Sequence, residues 1–346
     1  MIISFNPSIF QSQEDEIQEI LAKILVRLME INIHFINPQS INTFFYNEDG
    51  EYIFDSNPIS KRHLSSQNQR NLKEFLSKKS RQNITNLHIQ HLVNIVVGLD
   101  ESNKEIHPKS VWNIITERSK IIVENGINDW NFILGICQKY SGAKKTKRQS
   151  IYYLVNEAIK QEIIESEHGG GIREIPKVTQ RWINTDHYKS IFRYKLMAIF
   201  DSDRTKADEL TSHNKVVEYF KRKTIENIFD CNYEDTDLIV LHILHKKKIE
   251  NYLPLNVLFT NISITQAQKE DLSSKTDENL DFMEYNPNNI GLGKQQIKDQ
   301  FPKMFLLGFS YLDFEERCKH HKVFLAEANE SVSEIEQILL KIAKLL

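Results

Sequence analysis

Three short, uninterrupted apolar runs, each leading into an acidic residue, set the strongest limit on what this chain can fold into. Lys120-Ile121-Ile122-Val123 runs into Glu124, Lys195 to Phe200 runs into Asp201, and Leu238 to Leu244 leads towards Glu250. A strand this uniformly apolar is covered on both faces, as in a parallel sheet under crossover helices. Helical segments separate the runs, so the middle third reads as α/β. Open α/β sheets take their ligands at the carboxyl ends of the strands, which is where these acids fall.

The flanks have a different grammar. A helix is expected from about Ser12, with Ile17, Ile20, Leu21, Ile24, Leu25 and Leu28 on one face. Thr43 to Tyr46 and Glu51 to Phe54, around the turn Asn47-Glu48-Asp49-Gly50, read as a β-hairpin. Leu87, Ile89, Leu92, Ile95 and Val96 suggest a further helix, and the polar tract Asp100 to Ser110 reads as a linker. The expected division is an α+β domain of unknown role over 1–110, a catalytic α/β domain over 111–262, and a C-terminal extension over 263–346. That extension is mixed, then helical from about Ser331, with Ile335, Ile338, Leu339, Ile342 and Leu345 on one face.

Composition narrows the function classes. The 44 Lys and Arg against 47 Asp and Glu give a formal charge of -3, so any nucleic-acid site must be local rather than a general basic character. Three cysteines without paired spacing argue against a disulfide framework and a structural zinc site, and fit a reducing cytoplasm. There is no secretory leader at Met1 to Ser12, and no apolar run near the roughly twenty residues of a membrane span. Gly169-Gly170-Gly171 and Gly291-Leu292-Gly293-Lys294 lack the Lys-Ser/Thr ending of a phosphate-binding P-loop.

Asp201 and Asp203 stand two residues apart where a buried strand should leave the sheet. In an extended chain they point to one side and can converge on a hard cation. Glu124 is followed by Gly126 and by Asp129 at a helix start, where Asp129 suits either a cap or a ligand. Lys246-Lys247-Lys248-Ile249-Glu250 brings another carboxylate and three ammonium groups towards the same edge. Such crowding is costly unless a cation neutralises the acids. Lys144, Lys145, Lys147 and Arg148, with Lys246 and Lys247, are candidates for contacting nucleic-acid phosphates, although each run alone also suits a solvated surface.

The order Ile-Ile-Val-Glu124-Asn-Gly126-Ile-Asn-Asp129-Trp, Gly169-Gly170-Gly171, Met-Ala-Ile-Phe-Asp201-Ser-Asp203-Arg204 and Lys248-Ile-Glu250-Asn251-Tyr252-Leu253-Pro254 resembles a Toprim domain over roughly residues 115 to 260. It is most similar to the Toprim domains of OLD-type nucleases and of the effectors of PARIS-like antiphage systems, with Asn125 as an extra residue before the glycine. The resemblance implies a Rossmann-like parallel sheet and a Mg²⁺ or Mn²⁺ centre on Glu124, Asp129, Asp201, Asp203 and Glu250, with Lys248 assisting. The implied activity is phosphodiester cleavage in DNA or RNA, tRNA included. Glu124 is open between metal ligation and general acid-base work. The resemblance also implies an ABC-type ATPase on a separate chain, since residues 1–110 carry no Walker A motif, and it leaves room for a homo-oligomer. A non-catalytic Toprim-fold binding module is the alternative.

Overall fold

A computed structural model describes residues 1–31, 33–80, 91–143, 148–225, 237–325 and 329–346. Contacts divide the chain into two compact units. One comprises residues 1–118 with 185–195 and 344–346, the other 119–184 with 196–343. The boundary thus falls at 118 rather than near 110, and residues 263–343 belong to the same unit as the apolar strands instead of forming a separate extension.

The first unit is built on a parallel sheet of β1 (Ile2–Phe5), β2 (Phe35–Ile36) and β3 (Asn94–Val97), in the order β2-β1-β3. The helix Asp15–Ile31 buries Ile17, Leu21, Ile24, Leu25 and Leu28, as its spacing predicts. The expected hairpin is absent. Asn42–Phe45 is a helical turn, and only Tyr46 and Tyr52 form an antiparallel bridge around the tight turn at Gly50, whose φ is +79°. A strand would send Phe44 and Phe45 to opposite faces, whereas the helical turn lets both rings meet Phe54, at 5.1 and 4.9 Å between centroids. The helix expected through Leu87 to Val96 is corrected as well. Its first half, Leu87 and Ile89, lies outside the described residues, and Asn94–Val97 is a strand that buries Ile95 and Val97, in keeping with its β-branched run.

The second unit is α/β, with β4 (Ser119–Val123), β5 (Ile164–His168), β6 (Leu196–Phe200) and β7 (Val240–Ile243) all parallel in the order β5-β4-β6-β7. Every residue of β4, β6 and β7 is buried. Edge strand β5 is less covered and carries Glu165, Ser166 and Glu167 half-exposed. Helices Asn128–Ser141 and Gln149–Lys160 join β4 to β5, Ile175–Ile183 follows β5, and Asn214–Lys221 lies between β6 and β7. The chain steps from β4 outward to β5, then continues on the other side of β4 with β6. The order therefore reverses between β4 and β6, and the crevice at their carboxyl ends is a topological switch point of this Rossmann-like sheet.

The C-terminal region adds helices, an antiparallel pair β8 (Lys322–Leu325) and β9 (Glu330–Ser333), and the helix Glu334–Ala343. The last helix starts three residues later than expected because Ser331 to Ser333 pair with β8. A buried polar clamp fixes it. Glu334 accepts from His242 Nε2 at 3.0 Å, the His245 amide at 2.7 Å and the Tyr252 hydroxyl at 2.5 Å. Lys341 Nζ donates to the Leu241 carbonyl at 2.7 Å and lies 3.1 Å from His242 Nδ1. Burial and the Lys341 charge push the His242 pKa down to about 3, so its ring is neutral with Nε2 as the donor. Among the described residues, no helix is long and apolar enough to cross a membrane. Cys137 and Cys318 are free and buried.

Candidate functional site

The switch-point crevice is where the acids gather. Glu124 is the residue after β4 and Asp201 the residue after β6, on adjacent strands. Asp129 lies in the first turn of Asn128–Ser141, and Glu250 in the short helical turn Ile249–Tyr252 that follows β7. The connection out of β4 is tightly held. The Gly126 amide donates to His168 Nδ1 at 3.1 Å, and a Cβ there would stand 3.0 Å from the His168 Cβ, which favours glycine. Asn125 Oδ1 accepts the amides of Ile127 and Asn128, and its own amide donates to Asp129 Oδ2 at 2.8 Å. The extra residue thus becomes part of the turn, and Asp129 both braces the turn and faces the other acids.

The loop after β6 is pinned from beneath. Buried Ser202 donates to the Lys246 carbonyl at 2.8 Å, and buried Arg204 donates to the carbonyls of Ala207 and His245. Asp201 Oδ1 accepts the Ile249 amide at 3.2 Å, which ties the end of β6 to the turn bearing Glu250.

Electrostatically the acids act on Asp201 and Asp129. Burial, then the charges of Glu250, Asp129, Glu124 and Asp203, hold the Asp201 pKa well above the ordinary carboxylate range. Burial, with Glu124 and Glu250, raises Asp129 to about 7 in spite of its hydrogen bonds from the Asn125 and Glu124 amides. Glu250 is raised mainly by burial, and among the described residues its buried Oε2 has no hydrogen-bond partner. An unpartnered buried carboxylate oxygen is expensive and calls for an explanation.

Asp203 behaves differently from the reading of the sequence. The chain leaves the strand at Phe200, and Asp203 takes a left-handed φ of +51°, so the two aspartates do not sit on one extended face. The Asp203 amide donates to the Lys247 carbonyl at 3.0 Å, while Oδ2 lies 3.1 Å from His213 Nε2 and Oδ1 3.9 Å from Lys248 Nζ. The His213 hydrogen bond, aided by Lys248, holds its pKa below the usual value. The environments of Asp201 and Asp203 thus push their acidities apart, the pattern by which two carboxylates take separate roles.

The basic candidates also divide. Lys248 Nζ stands 3.2 Å from Glu284, and although burial opposes its charge, Glu284, Asp203 and Asp201 keep its pKa raised. Lys247 pairs with Glu284 at 2.9 Å. Lys246 is corrected as a phosphate contact. It is fully buried, pairs with Asp281 and donates to the Arg317 carbonyl at 2.9 Å, because it belongs to the core beneath the loop. Arg148 is corrected likewise, being buried and paired with Glu330 and Glu336. Lys144, Lys145 and Lys147 lie outside the described residues.

Sequence reasoning missed four residues here. Glu284, Lys294 and Lys298 join Lys248 and Glu250 around a water-sized cavity of about 30 Å³, and His213 holds Asp203. None could be tied to the acids by sequence spacing: Lys294 and Lys298 come from the helix Lys294–Met304, Glu284 from the segment before it, and His213 from the cap of Asn214–Lys221. Among the described residues, no three His, Cys, Asp or Glu side chains form a ready-made metal-binding group. No family model, curated protein or solved structure matches the chain.

Proposed function

We propose that this protein is a divalent-metal-dependent nuclease of Toprim type that cleaves phosphodiester bonds. The observation that carries the reading is the buried Oε2 of Glu250, unpartnered among the described residues, amid mutually repelling carboxylates at the switch point. A fold that keeps such repulsion is stabilised by a cation, and the donor set, all carboxylate oxygen, suits Mg²⁺ or Mn²⁺. Magnesium keeps several waters and is commonly held by one or two carboxylates plus substrate phosphate, so a complete protein cage is not required. Glu124, Asp201 and Glu250 are the residues to hold it, with Asp129 beside them and Asp203 at the rim.

A bound ion would there acidify a water and neutralise phosphate oxygens. The chain's own groups do the rest. Among the described residues the Glu124 carboxylate accepts no hydrogen bond, which leaves its oxygens open to ligate the ion. Lys248, kept charged by the acids around it, presents an ammonium group to developing negative charge on the phosphate. Asp203, hydrogen-bonded to His213, adds its charge beside Lys248, whose ammonium group is held by Glu284 at 3.2 Å. The Toprim resemblance supports the role of an antiphage effector acting with a separate ABC-type ATPase.

Purified protein with Mg²⁺ or Mn²⁺, offered single- and double-stranded DNA and RNA including tRNA, is expected to cut at least one of them. Asp201→Ala and Glu124→Ala should each lower the rate by two orders of magnitude or more. Equal cleavage by the wild type and both variants defeats the reading.

A further inference from the structure

We infer that the groove between the helices Ile175–Ile183 and Asn214–Lys221 seats a single strand of nucleic acid that leads into the acidic crevice. The groove has a volume of about 750 Å³ and is lined by Arg173, Ser212, His213, Asn214, Lys215 and Tyr219, among others. That volume is in the range of sites for small ligands, with room for about two nucleotides of one strand.

The charges point to an anionic occupant. Several cations of the neighbouring segments are engaged: Lys177 with Glu174 at 2.9 Å, Arg181 with Glu167 at 2.6 Å, and Lys206 with Asp208 at 3.4 Å. Arg173 and Lys215, the two that line the groove, are exposed and pair with no carboxylate among the described residues. Two cations that line one groove without a carboxylate partner among the described residues suit the phosphates of a nucleic-acid backbone.

The aromatic content points to bases. Tyr219 is half-buried, and its hydroxyl donates to Gln180 Oε1 at 3.0 Å, which anchors the ring beside the groove. An aromatic ring next to a cationic track is the arrangement by which proteins hold single strands through stacking. Continuity with the acidic site comes from His213, which lines the groove and reaches Asp203 at 3.1 Å. A strand on this track therefore delivers its phosphate beside Asp203, Lys248 and Asp201.

This inference rests on the nuclease reading for its purpose, and its test is independent of cleavage. Anisotropy of labelled single-stranded DNA and RNA oligonucleotides is measured with the full chain in EDTA, over a range of salt. The double variant Arg173→Glu/Lys215→Glu should bind at least tenfold more weakly. Its slope of log affinity against log salt should fall by about 1.4, two phosphate contacts at about 0.7 each. The milder Arg173→Gln/Lys215→Gln should show the same change of slope, and thermal melting checks that each variant folds. Tyr219→Ala should lose about tenfold and Tyr219→Phe little. Unchanged affinity and slope in both double variants, or wild-type binding to a duplex as tight as to a single strand, overturns the inference. Weakened binding by the groove variants with no metal-dependent cleavage by the wild type would retain the groove and remove the nuclease.

Discussion

Replacing Asp129 with asparagine should make the metal-free protein more stable at pH 8, and the effect should depend on pH. Burial and the charges of Glu124 and Glu250 raise the Asp129 carboxyl from 3.8 to about 7. The folded state thus holds a proton that the unfolded chain releases between those values. For an acid raised in this way, stability falls as pH climbs from about 4 to about 7, and the full penalty is present above 7. At about 1.4 kcal/mol for each tenfold in acidity, keeping Asp129 ionised costs about 4 kcal/mol. Asparagine removes that cost and retains an oxygen to accept the Asn125 amide, but leaves its own N–H₂ partly unpaired, a loss of about 1–3 kcal/mol. The net expectation is a gain of about 1–3 kcal/mol at pH 8 and a loss of about 1–3 kcal/mol at pH 4. Urea denaturation of both proteins in EDTA at the two pH values measures it. An Asp129→Asn variant no more stable than wild type at pH 8 would refute the electrostatic reasoning.

Two further outcomes follow from the packing. Glu334→Ala removes the shared acceptor of His242, His245 and Tyr252 and should cost about 3–5 kcal/mol in denaturant unfolding at pH 7, with Glu334→Gln in between. Despite its burial, the clamp holds the Glu334 pKa well below the usual range, so its stabilisation is present at neutral pH and is lost as pH falls through that lowered value. A loss under 1 kcal/mol would contradict the clamp. Gly169→Ala sets a Cβ 2.7 Å from the Ile175 side chain and 2.8 Å from the Val123 carbonyl, behind the end of β4. It should cost about 1–3 kcal/mol by the same assay, and no change would show that this turn is looser than described.

The parts of the fold legible in the sequence are those whose environment is uniform. Strands β4, β6 and β7 are covered on both faces, so their apolar runs and the acids after them were readable as a sheet edge. Edge strand β5, Ile-Glu-Ser-Glu-His, is half-exposed along most of its length and carries no such run. Asn42–Phe45 misled because β-prone aromatic residues took a helical turn to bring two rings onto Phe54, a tertiary gain that local propensity does not register. At the site, Glu124, Asp129, Asp201 and Glu250 were legible from their places after strands or at a helix start. The separation of Asp203 from Asp201 was not, because it depends on a left-handed residue and on His213, ten positions away. Lysines differed for the same reason: the run Lys246 to Lys248 looks uniform, yet one member is core and two face acids.

Binding of Mn²⁺ to the full chain, followed by electron paramagnetic resonance, tests the central claim that the switch-point carboxylates hold a divalent cation. The account predicts binding by the wild type that is lost in Asp201→Asn and in Glu124→Gln, and that is strengthened by a single-stranded oligonucleotide. A wild type that binds no Mn²⁺ with or without the oligonucleotide, or variants that bind as tightly as it does, would contradict it.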